Sequence, residues 1–282
     1  MTQQIEPASL ASILRNRPAI TLEELALKSV ALPGEEYLSA AIEKRQLPDG
    51  GWSEHAAVPL PNAYSTGLAL LSLARSRKAG ATSVENGFQW LSKTVGVESH
   101  WRWKWKFRFF DTKVRFDPSK SGWPWIPSTL SWVAPTAISL LAHEAWGRCS
   151  PRTANAREML LDRCCNGGGW NAGNSEAFSV ALTPHPDFTA MAVMALHHER
   201  LSHAALLASS LDYLWRSLST ASSVYSLSLG VIALKVYSDP RANRLSRRLA
   251  LAVVKALPNL ATRELALAKI ALGSDSSGAS KP

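Results

Sequence analysis

Residues 131–146 read SWVAPTAISLLAHEAW, and a Gly122-Trp123 pair stands just before them. Pro135 presets φ, and the Thr136 hydroxyl can accept from a free backbone N–H, so the two together signal a helix start. From Ala137 through Ile138, Leu140, Leu141 and Ala142 the segment is apolar nearly all round, the pattern of a helix buried on every side. The same phrase recurs. Gly51-Trp52 precedes a helix led by Ser65 and Thr66, and Gly169-Trp170 precedes one led by Asp187, Phe188 and Thr189. Two worn copies follow, led by Leu227 and Leu265.

Between these buried helices lie half-apolar ones, over about 35–46, 84–95, 154–164, 202–218 and 242–256. The leading positions Thr66, Thr136, Thr189, Leu227 and Leu265 are 70, 53, 38 and 38 residues apart, so the bare period is 38 and the earlier copies carry insertions. A wetter helix alternating with a wholly apolar one at that period predicts stacked helical hairpins, because no single hairpin can bury its apolar face alone. Five hairpins are explicit. Helices over 5–17 and 22–30, the second opened by a Thr21/Glu24 capping box, supply a sixth and would close a ring. The expected fold is therefore all-α, an α/α toroid of five to six hairpins over 1–273, with an insertion over 96–121 and a disordered tail over 274–282.

Composition sets outer limits. The chain has 282 residues, 46% of them apolar, and a net charge of +9. Three cysteines, Cys149, Cys164 and Cys165, lack disulfide-framework or zinc spacing. His197, His198 and His203 with Glu199 do not converge on one helix face. Neither a metal nor a cofactor is expected. The N-terminus lacks a signal-peptide pattern, and no run approaches a membrane span, which together point to the cytoplasm.

The segment from Gln46 through Gly50 to Trp52 resembles the Q-x-x-x-G-x-W motif of the squalene/hopene cyclases and prenyltransferase-fold proteins. Trp170 with Gly168 keeps the end of that motif, with Cys164 at the Gln position. The resemblance implies an α/α toroid with an apolar, aromatic-walled central cavity for an isoprenoid chain or another apolar small molecule, with Trp123, Trp125, Trp132 and Phe188 as candidate ligand-binding residues; core packing that staples one repeat to the next is the other reading of Trp123, as of Trp52 and Trp170. It also places Asp187 at the position of the cyclases' proton-donating Asp in their D-x-D-D-T-A motif. His185 replaces the first Asp of that motif and Phe188 the last. Asp187 with His185 is then a candidate acid pair, and a plain helix cap is the alternative. The implied function is a terpene cyclase-like protein binding or cyclising a polyprenyl lipid. A non-catalytic toroid serving as a lipid-binding or protein-interaction module is the other reading.

The insertion carries a separate signal. Residues 101–109 alternate strictly, with Trp101, Trp103, Trp105, Phe107 and Phe109 against Arg102, Lys104, Lys106 and Arg108, which predicts a strand with a bulge at Phe109-Phe110. Residues 100–120 hold seven Lys or Arg against two Asp, so much of the chain's charge is local. Three uses fit this pattern: aromatics packed over the ring mouth with a merely wet basic face, a ribbon lying on an anionic membrane as a peripheral attachment, and nucleic-acid stacking, the least favoured.

Overall fold

The computed structural model describes residues 7–76, 79–110 and 114–273; the tail over 274–282 lies outside the described residues. Six helices form an outer layer: α1 (Pro7–Asn16), α3 (Glu36–Lys44), α5 (Ala81–Lys93), α8 (Pro151–Asp162), α10 (Ala204–Leu218) and α12 (Arg241–Ala256). Six form an inner layer: α2 (Leu22–Ala31), α4 (Ala63–Leu73), α7 (Val133–Ala145), α9 (Pro186–Ala195), α11 (Val224–Val236) and α13 (Thr262–Leu272). Each inner helix packs on the next, α2 on α4, α4 on α7, α7 on α9, α9 on α11 and α11 on α13, and α13 returns to α2. The ring closes. The all-α toroid expected from the sequence is present, and α1 and α2 supply its sixth outer and inner positions, with α1 packed on α13.

The inner helices are buried on all sides because they pack against two inner neighbours and the outer layer. In α4 every residue from Ala63 to Leu70 is buried, and in α7 every residue from Val133 to Leu140. The outer helices bury one stripe, such as Ala242, Leu245, Leu249 and Val253 of α12. At ~25 cal/mol per Å² of apolar surface removed from water, this two-sided burial is the dominant stabilising contribution.

The tryptophans at the bends act through hydrogen bonds as well as bulk. Trp52, Trp123 and Trp170 are fully buried. Their indole N–H groups donate to Ile42 O at 2.7 Å, Leu91 O at 2.9 Å and Leu160 O at 2.6 Å, each in the last turn of an outer helix. Each of these carbonyls also accepts from the C-cap N–H of its own helix, that of Arg45, Thr94 or Arg163, so the indole uses the second lone pair. Their backbone N–H groups donate to Thr66 Oγ1 at 3.0 Å, Thr136 Oγ1 at 2.9 Å and Thr189 Oγ1 at 3.0 Å. One Trp therefore ties the end of an outer helix to the first turn of the next inner helix. Two glycines permit the approach: Gly50 has φ +93° with Asn86 O where a Cβ would go, and a Cβ on Gly122 would collide with the Thr136 side chain.

This corrects the expected start of α7. The helix begins at Val133 with Trp132 at the N-cap, and Thr136, one turn further in, receives the Trp123 N–H instead of capping its own helix. Thr66 and Thr189 behave the same way, one turn after N-caps Asn62 and His185.

A second correction concerns the insertion. Residues Trp101–Phe109 form a helix, α6, and Phe110 is its C-cap rather than a bulge. A strand here would leave a row of backbone groups to find partners, whereas a helix pairs them internally. The alternation then projects as i, i+4 ring pairs, Trp103 with Phe107 at 5.7 Å and Trp105 with Phe109 at 5.0 Å between centroids. Among the described residues strand structure is confined to a small antiparallel sheet of β1 (Val114–Arg115), β2 (Glu176–Ala177) and β3 (Val180–Ala181).

Thr136→Val keeps the volume but leaves the Trp123 N–H without its acceptor, and urea unfolding should show a loss of about 1–3 kcal/mol. The same staple carries a pH signature. His143 lies between Phe88 and Trp123, at 4.8 and 5.2 Å between centroids. Burial pushes its imidazole below the ordinary 6.5, with Arg152 and Arg148 acting in the same direction against a bond to Ser139 O. A base depressed in the folded state contributes stability that is complete above its unfolded value and is lost as pH falls through the folded one. Thermal melts should therefore weaken progressively below about pH 6.5, and the His143→Gln variant should lose that part of the slope.

Candidate functional site

All six inner helices start at the same end of the ring, so their N-termini converge on one mouth. Aligning the N-caps Thr21, Asn62, Trp132, His185, Ser223 and Ala261 puts equivalent residues in layers. The second residue of each helix faces the mouth: Glu23, Tyr64, Ala134, Asp187, Tyr225 and Arg263 all border one cup of about 820 Å³. One turn deeper on the same faces stand Leu27, Leu68, Ile138, Met191, Leu229 and Leu267, all buried. The ring axis is packed, and the opening is a cup above an apolar layer.

Tyr64 and Tyr225 sit on helices opposite one another in the ring and meet at one carboxylate. Tyr64 OH donates to Glu23 Oε1 at 3.0 Å and Tyr225 OH to the same oxygen at 3.3 Å, while Arg263 Nη1 lies 3.4 Å from Glu23 Oε2. Burial raises both phenols above the ordinary tyrosine value, with Tyr225 and then Glu23 adding to it at Tyr64 and Glu23 adding to it at Tyr225, so both stay protonated as donors. With Thr262 Oγ1 donating to Pro18 O at 2.7 Å, this cluster seals the seam between the last hairpin and the first.

Five carboxylates, Glu23, Glu24, Glu54, Asp187 and Glu264, border the cup against one guanidinium, Arg263. Six converging helix N-termini contribute roughly +0.5 each, so the dipoles offset most of that excess. Most of the carboxylates are also occupied. Glu24 Oε2 accepts from Ile20 N at 2.8 Å, Glu264 Oε2 from Ala261 N at 2.8 Å, and Glu54 from Glu23 N and Ser65 Oγ. Asp187 differs: its Oδ1 is buried without a hydrogen bond.

The residues singled out from the sequence separate in space. Asp187, Phe188 and Trp125 all border the cup, and Trp125 lies 5.2 Å from Tyr64 between ring centroids. Trp123 does not: it is fully buried as a bend staple. Trp132 also lies outside the cup lining, as the N-cap of α7 and over Gly173. His185 is the N-cap of α9. Its Nδ1 accepts from the Asp187 N–H at 3.4 Å and lies 3.8 Å from Asp187 Oδ2, beyond hydrogen-bond distance. Glu23, Tyr64, Tyr225 and Arg263 were not anticipated. The signal that finds them is position, two residues before each leading residue of an inner helix. Among the described residues no three His, Cys, Asp or Glu side chains group as a metal site, and no helix is long and apolar enough to cross a membrane.

No family model matches the chain, and no curated protein matches it. Solved structures do. A protein from Actinoplanes superposes with a TM-score of 0.62 at 14% identity, over 95% of this chain and 98% of that one. A Salmonella alpha-2-macroglobulin mutant gives 0.53 at 14% identity, over 94% of this chain but 17% of that one. Native alpha-2-macroglobulin from Escherichia coli gives 0.52 at 11% identity, over 95% of this chain and 42% of that chain. The likeness is one of fold: this chain has the extent of the Actinoplanes protein and of a part of the macroglobulins.

Removing the carboxylate at the seam strands two buried phenols. Glu23→Ala should lower stability by about 2–3 kcal/mol in urea unfolding, and Glu23→Gln, which keeps an acceptor, should lower it less.

Proposed function

We propose that this chain is an α/α-toroid binding module that holds one small molecule with an apolar body, of the isoprenoid-lipid class, in the cup at its mouth. The observation that carries this reading is the cup itself. Its volume of about 820 Å³ is in the range of small-molecule sites, Trp125, Phe188 and Met191 offer apolar wall, and Asp187 puts a carboxylate on the rim. The polar end of the ligand is uncharged or cationic, because carboxylates already take up the N–H groups at the helix starts and Arg263 is the one guanidinium among the residues lining the cup.

Catalytic cyclisation is the second reading, and the position of Asp187 favours it. A carboxyl able to protonate an alkene needs donors that stabilise its conjugate base, and Oδ1 has none here. Binding without turnover is therefore the reading we favour.

Organic extraction of the purified protein followed by mass spectrometry, then incubation with squalene, separates the two. The expected result is an apolar molecule retained and recovered unchanged, with Trp125→Ala/Phe188→Ala weakening retention at least about tenfold. A cyclised product made by the wild type and lost in Asp187→Asn would establish the second reading. Failure of the folded protein to retain any apolar ligand would contradict both.

A further inference from the structure

Helix α6 is the part of the molecule that neither the ring nor the cup uses. It leaves the C-terminal end of α5 and precedes the N-terminal end of α7, and antiparallel hairpins put both of those ends on the cup side of the ring. Its base is anchored there. Val97 N donates to Thr129 O at 3.0 Å, and the fully buried Glu98 accepts from Ser131 N at 3.1 Å. The loop it adjoins reaches the cup, where Ala63 N donates to Trp125 O at 3.0 Å.

The helix itself buries none of its side chains. Trp101, Trp105 and Phe109, one turn apart, form an aromatic ridge that is 66%, 60% and 58% exposed. The opposite pair, Trp103 and Phe107, leans toward the body, with Phe107 5.1 Å from Phe116 between centroids. Arg102 and Lys106 run along one flank of the ridge and Lys104 and Arg108 along the other, and among the described residues none of the four forms an ion pair. Between Lys104, Arg108 and the turn at Pro118 and Ser119 lies a groove of about 350 Å³ floored by Trp105 and Phe109. Two cations one turn apart, lining a groove with two aromatic rings, suit an anionic headgroup whose acyl chains continue past the rings. A ridge of exposed tryptophan between rows of cations is unfavourable in water and matched to the boundary between lipid headgroups and hydrocarbon.

We propose that α6 is an interfacial helix that docks the cup end of the ring onto an anionic lipid surface, with Trp101, Trp105 and Phe109 inserted among the headgroups and Arg102, Lys104, Lys106 and Arg108 on the phosphates. Docked this way the cup faces the bilayer. The attachment does not require that the cup hold a lipid, so the two proposals stand or fall separately.

The test is co-sedimentation of the full chain with phosphatidylcholine vesicles, with and without roughly one-third phosphatidylserine, at about 0.1 M salt and again at high salt. Binding should require phosphatidylserine and should fall as salt screens the cations. Lys104→Ala/Arg108→Ala should weaken it roughly thirtyfold, at about fivefold per cation near an anionic surface. Trp101→Ala/Trp105→Ala should weaken it while leaving the thermal melt unchanged, since neither ring is buried. Absence of binding by the folded wild type at low salt would overturn the proposal. So would tighter binding to a single-stranded oligonucleotide than to the anionic vesicles, because the same ridge would then be a base-stacking platform.

Discussion

Everything in this molecule depends on one clamp: a tryptophan at the bend of a hairpin that uses both its N–H groups at once. The indole donates to a last-turn carbonyl of an outer helix, as its second donor beside the C-cap N–H, and the amide donates to a threonine one turn into the next inner helix. Both bonds lie in a region without water, where an unmade hydrogen bond costs about 1–3 kcal/mol per group. The clamp therefore fixes register as well as adhesion. An inner helix that slid by one residue would rotate its threonine about 100° away from the waiting amide.

Fixed register is what builds the mouth. Because the clamped helices share one phase, and the two worn copies follow it with Leu227 and Leu265 at the threonine position, residues two positions earlier all face the same opening. That is how a Glu, two Tyr, an Asp, an Arg and an Ala from six helices come to border a single cup. The convergence of six helix N-termini explains why carboxylates gather there and why most of them accept backbone or side-chain N–H and O–H groups from the first turns. Among the described residues Asp187 Oδ1 stands apart as a buried carboxylate oxygen beside the cup that has no hydrogen bond.

Much of the fold was legible in the sequence, since alternation of half-apolar and wholly apolar helices at a repeating interval has few other physical solutions. The role of Thr136 was not, because a hydroxyl that caps its own helix and one that receives an amide from the preceding loop occupy nearly the same place in a sequence. The WRWKWKFRF segment read as a strand because alternation normally reports one buried face; here both faces are wet, so burial imposes no period and the backbone settles its own hydrogen bonds as a helix. In the site, Asp187, Phe188 and Trp125 were legible from a motif or from aromatic content near a helix start. Tyr64, Tyr225, Glu23 and Arg263 belong to no local pattern, and they become visible only when six helix starts are aligned. Trp132 was assigned to the cavity, and Trp123 either to the cavity or to a bend, because a tryptophan that closes a bend and one that walls a pocket carry the same sequence signature.

The most direct measurement is native-state hydrogen exchange resolved at the indole N–H groups of Trp52, Trp123 and Trp170. If the clamps hold the ring together, all three should exchange only through global unfolding, with one common and slow rate that shifts in parallel with added denaturant. An indole that exchanges quickly and independently of denaturant, in a protein whose core amides stay protected, would show that the ring persists without its clamp and would contradict this account.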